Sequence, residues 1–211
     1  MNRLLSLAAL AALALLAGCI SVAVGNEGAA HRQYQLIDAG ASDVARRAEP
    51  LLAALLIQLQ PGDAMADTAS MAYSPRANEF AFYQFATWTE RPVRQLPRLL
   101  QRRLEARGTA AAVGLIGEPL RAQWLLNLAI VSLHHDVSSP PGSARFVLNA
   151  ELFDRRSRAR LAQRQFEVQV PSARADSAAA AEAMSRAVGR SFDALVPWLE
   201  SELQRVPAAA R

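Results

Sequence analysis

Leu16-Ala17-Gly18-Cys19 places the only cysteine of a 211-residue chain directly behind an aliphatic and two small residues. That tetrapeptide fits the lipobox of lipoprotein signal peptidase, in which small side chains precede a cysteine whose sulfur takes a diacylglyceryl group. The leader has the matching form, with Arg3 followed by an unbroken run of Leu, Ala and one Ser from Leu4 to Leu16. The run is too short to span a bilayer stably. Cleavage then leaves Cys19 as the first, lipidated residue, and the alternative is an ordinary secretory signal in which the cysteine is accidental. Each buried methylene contributes about 0.8 kcal/mol, so two or more acyl chains make attachment effectively permanent. Apart from this covalent lipid no cofactor or metal is expected.

His134-His135-Asp136 is the other constellation able to do chemistry, since imidazole and carboxylate bind zinc or transfer protons. Neighbours on a strand point to opposite faces, and His31, the only further histidine, lies near the leader. A three-ligand site is therefore hard to assemble, and a solvated strand end before Pro140-Pro141-Gly142 is the plainer reading. The chain has no G-x-x-x-x-G-K-[ST], G-x-S-x-G or H-E-x-x-H, so nothing in it reads as an ATPase or hydrolase.

Two clusters could make contacts instead. Phe80, Phe82, Tyr83, Phe85 and Trp88 are the densest aromatic group in a chain that is only 6% aromatic. Phe80 and Phe82 share one strand face while Tyr83 and Phe85 share the other, so the segment either packs between sheet and helix or meets a partner or lipid. Arg155, Arg156, Arg158, Arg160 and Arg164 crowd a turn; they are either solvated there or attract anionic head groups or an acidic partner.

All 23 basic residues are arginine. Losing Arg3 with the leader leaves 22 against 19 carboxylates, a net +3, so the isoelectric point near 10.1 reflects the lack of lysine rather than a nucleic-acid surface. Residues 1–18 read as leader, 19–30 as a lipidated tether of small residues, and 31–207 as one domain large enough to bury a core without disulfides. The eleven residues 20–30 beyond the cysteine reach at most about 36 Å. Ile20 and Ser21 follow the cysteine where an aspartate would favour retention, which points to the outer membrane, facing the periplasm.

Apolar periodicity supplies the elements. Strands are expected at 33–37, 51–59, 70–73 and 79–85, with a turn of helix in the polar stretch 38–49. Val93, Leu96, Leu100 and Leu104 mark a helix over 90–107 that Gly108 stops, with Pro97 either kinking it or marking its start. Alternation from Leu120 to Ile130 gives a long half-buried strand, and strands at 144–153 and 162–170 continue it as an antiparallel meander. Asp176 is placed to cap a final helix burying Ala183, Ala187, Val188, Leu195, Leu199 and Leu203. The fold class is α+β: a mixed or antiparallel sheet packed with two main helices.

The order lipobox, tether, Tyr34-Gln35-Leu36, apolar strand, Met71-Ala72-Tyr73, Phe82-Tyr83 carries a resemblance. Tyr83, Trp88, Glu90 and Pro92 form a passage of tyrosine, tryptophan, acid and proline ahead of an amphipathic helix, and the closing helix carries Trp198-Leu199. The chain resembles the ABC-type transport auxiliary lipoproteins, the paraquat-inducible protein C-like family. The resemblance implies a non-enzymatic periplasmic accessory of a system that moves lipid between membranes, working with an MCE-domain protein and an ABC transporter permease and ATPase. Exposed strand edges and the aromatic band further suggest a homo-oligomer or a stable partner complex. A structural or assembly lipoprotein with no lipid ligand is the alternative.

Overall fold

The computed structural model describes residues 30–60 and 62–206. The leader, Cys19 and the tether up to residue 29 lie outside the described residues. From His31 onward the chain packs as one unit. In chain order the elements are β1 (Arg32–Tyr34), β2 (Leu52–Gln60), β3 (Ser70–Arg76), β4 (Glu79–Trp88), α1 (Pro92–Arg107), β5 (Ala110–Leu115), β6 (Trp124–Asp136), β7 (Ser143–Asp154), β8 (Ala159–Pro171) and α2 (Ser177–Arg205). The eight strands form one mixed sheet, which with two helices is the expected α+β class.

β6 is the hub. Along one side it pairs antiparallel with β7, which pairs antiparallel with β8, giving the expected meander. Its other side is shared: β2 lies parallel to Trp124–Ala129, and β3 lies parallel to His135 and Asp136. β5 flanks β2, β4 flanks β3, and β1 pairs parallel with Ala86–Trp88 of β4. Both helices pack on the sheet; Leu96, Leu100 and Leu104 of α1 and Ala183, Ala187, Val188, Leu195, Leu199 and Leu203 of α2 are all fully buried. The α1 stop is as expected, Gly108 taking the left-handed conformation at φ 71° and returning its N–H to Leu104 and Glu105. Asp176 caps α2 by accepting from the Ala179 N–H at 2.8 Å.

Several expectations are corrected. β1 is three residues long and ends at Tyr34 rather than at 37. β5 is an Ala-rich strand without clear alternation, so the apolar pattern does not reveal it. The strand expected from Leu120 begins at Trp124, because Leu120 to Gln123 belong to the connection from β5. Pro97 lies inside α1 and does not mark its start.

The largest correction concerns the end of β6. Ile130 pairs with Leu148 and Ser132 with Val147, so Val131 is an extra residue that opposes nothing. Such a bulge shifts every later side chain to the other face. Trp124, Leu126, Leu128 and Ile130 face the core, and beyond the bulge Leu133 does so. The histidines that follow are not solvated: His134 is 7% exposed and His135 fully buried.

Candidate functional site

Three groups of side chains could carry function. The first is a buried polar chain at the end of β6. Tyr83 Oη lies 2.7 Å from His135 Nδ1, and His135 Nε2 lies 2.7 Å from the buried Ser172 Oγ. Tyr73 packs its ring 4.9 Å from that of Tyr83. Gly142, at φ 93°, lets the β6–β7 turn close over the imidazole, since a Cβ there would stand 2.7 Å from His135 Nε2. Burial, then the nearby Asp176 and Tyr73, pushes the Tyr83 hydroxyl up to about 12. Burial also lowers both His134 and His135 from the ordinary imidazole value, which favours their neutral forms.

A serine, an imidazole and a third oriented group have the outline of a nucleophilic triad. Here the hydroxyl is buried, and its own N–H bonds to Gly142 O at 3.0 Å, which removes it as a donor to a reacting oxygen. The chain instead ties β4, β6 and the approach to α2 together. His134 points to the other face, with Nδ1 2.8 Å from Ser132 Oγ and its ring edge-on to Phe80 at 5.1 Å. Asp136 bonds Ser138 and is held below the usual carboxylate range chiefly by that side-chain bond. Among the described residues no three His, Cys, Asp or Glu side chains converge as metal ligands.

The second group is the aromatic segment. The β3–β4 pairing is irregular between Phe82 and Thr87, so strict alternation fails. Phe80, Phe82 and Phe85 are 46%, 44% and 44% exposed, whereas Tyr83 turns in to His135 and Trp88 is buried in the core. Residues 79–85 have no strand on their outer side among the described residues, because β1 covers only Ala86–Trp88. Phe80, Val131 and His134 line a groove of about 480 Å³ on the sheet, where Arg145 is occupied by Glu167 at 2.8 Å.

The third group is a pair of ionic clusters, each built round a buried residue, Arg103 in one and Glu200 in the other. Arg103 of α1 bonds both oxygens of Asp38 and, at 2.6 Å, Asp193 of α2. Glu200 accepts from Arg107 at 3.0 Å on each oxygen, from Arg47 and from Thr109. Both clusters clamp the segment before β2 to the helices. Neither was singled out from sequence, although Arg103 carried a signal: it stands three residues after Leu100 and seven after Leu96, on the apolar face. In the turn, Arg160 pairs with Glu151 at 2.6 Å and Arg155 donates to Ala122 O, while Arg156 and Arg158 are exposed.

Residues 34–196 match a family described as ABC-type transport auxiliary lipoprotein component. The chain belongs to that family. The match runs from β1 into α2 and spans the aromatic segment, the histidine chain and the Arg103 cluster. A crystal structure of a Xanthomonas campestris protein of the DUF330 family superposes with a TM-score of 0.73 at 25% identity, covering 82% of this chain and 97% of that one. A second crystal structure, of an uncharacterized protein, gives 0.61 at 13% identity over 81% and 99%, which speaks for the fold alone. No curated protein matches the sequence. Among the described residues no helix is long and apolar enough to cross a membrane.

Proposed function

We propose that this auxiliary lipoprotein is a non-enzymatic docking subunit, held at the outer membrane by lipid on Cys19, for an MCE-domain protein served by an ABC permease and ATPase. The observation that carries the reading is the set Phe80, Phe82 and Phe85, exposed on the part of β4 whose outer edge, away from β3, meets no strand among the described residues. Three large apolar side chains beside a strand edge that no described strand pairs suit an added strand or an apolar face of a partner. A tether of at most about 36 Å keeps the domain near its own membrane, so a longer partner must reach it across the periplasm.

Site-specific photo-crosslinking in cells along positions 79–91 tests the contact. Crosslinks to an MCE-domain protein from the exposed positions, and none from buried Trp88, are expected. Capture of only structural envelope proteins would replace transport by an assembly role. Cys19→Ser should abolish palmitate labelling and release the protein from the membrane, and labelling equal to wild type would remove the anchor from the proposal. His134→Ala with Asp136→Ala should leave envelope integrity intact; loss of integrity in a folded double variant would reopen catalysis.

A further inference from the structure

A different surface carries an apolar groove edged by arginines. Between α1 and the ends of β2 and β5 lies a groove of about 310 Å³, walled by Val93, Pro97, Leu115 and Ile116, with Arg94 and Arg98 on its rim. Ile116 is 47% exposed, yet it is held in place: its N–H bonds Ile57 O at 2.9 Å, and the preceding Leu115 N–H bonds the Glu118 carboxylate at 2.9 Å. The apolar wall is therefore preformed.

Among the described residues the charge on the rim is only weakly compensated. Arg94 has no acidic partner among the described residues, and Arg98 meets only Glu90 at 3.9 Å. Arg102 continues the stripe one turn further on, exposed and again without an acidic partner among the described residues. Like charges spaced four apart on a helix repel, and a bound anion would relieve that repulsion. The groove by Phe80 offers no such charge, because Glu167 already holds its Arg145.

We propose that this groove binds one alkyl chain of a phosphate-bearing lipid, with Arg94 and Arg98 on the phosphate. Guanidinium groups pair with phosphate oxygens through directed hydrogen bonds, and the four apolar side chains shield the chain beside them. The volume sits at the lower end for small-ligand sites, about 300 Å³, so the groove takes a segment of one chain and leaves the rest of the lipid outside. This site is separate from the β4 docking surface and does not rest on it.

The test uses the full lipidated chain in cells grown with [32P]orthophosphate, with p-benzoylphenylalanine at Ile116 or, as control, at Gln163 on the exposed side of β8. Irradiation should attach organic-soluble 32P label at Ile116 well above Gln163. In the same chain, Arg94→Glu with Arg98→Glu should cut that label about thirtyfold, the equivalent of two head-group contacts of about 1 kcal/mol each. Label at Ile116 no higher than at Gln163 overturns the site. So does label unchanged in a charge-reversed protein that is still membrane-bound and protease-resistant, since that would report the bulk bilayer. The docking reading is scored by protein crosslinks from positions 79–91, so either proposal can fail without the other.

Discussion

Arg103→Leu should be among the most damaging single changes in the domain. The Arg103 and Asp38 side chains are only 6% and 3% exposed. Their contacts are 2.7 Å from Nε to one Asp38 oxygen and 2.5 Å from Nη2 to the other. Leucine would fill the volume but strand a buried carboxylate with one bond left among the described residues, from the Gly40 N–H at 3.1 Å. Stranding a buried charge costs about 3–5 kcal/mol. Asp193 is 57% exposed, so solvent compensates most of its loss. For a domain of this size about 1 kcal/mol moves the melting temperature by roughly 2–4 °C, so a drop of roughly 6–20 °C is expected. Far-UV circular dichroism melting of the full chain reads it. Adding Asp38→Asn removes the stranded charge and should recover at least half of the loss. A melting point for Arg103→Leu within about 2 °C of wild type, or a further drop on adding Asp38→Asn, would refute the argument that the buried charge is the cause.

Acidification should weaken the fold through the buried histidines. Burial lowers His134 and His135 from their ordinary 6.5, so the unfolded chain binds those protons first. Stability is then full above pH 6.5 and declines as pH falls below it, by up to about 1.4 kcal/mol per unit for each histidine. Denaturant midpoints between pH 7 and 5 should flatten when both are changed to glutamine; an unchanged slope contradicts the assignment. Gly189→Ala should lower the melting temperature even though alanine favours helix by about 1 kcal/mol. Its Cβ would stand 2.9 Å from Gly40 N and 3.3 Å from Ala39 N, both backbone atoms, and a higher melting temperature would show that this approach can relax.

The sequence by itself determined what depends on local chemistry and period: the α1 stop at Gly108, the Asp176 cap, the buried stripe of α2 and the β6–β7–β8 meander. Each follows from residues within a few positions of one another. The fate of His134 and His135 was not legible, because one unpaired residue, Val131, reverses the faces beyond it, and such a bulge is defined only against the partner strand. The same holds for the aromatic segment, where an irregular pairing with β3 turns Tyr83 inward and leaves Phe85 out. Ser172, Asp38 and Asp193 lie 37, 65 and 90 residues from the side chains they bond, a separation that no periodic pattern encodes. Only the packing of helices and hairpins onto one sheet brings those groups together, because burying their charge and hydrogen bonds requires surfaces from distant parts of the chain.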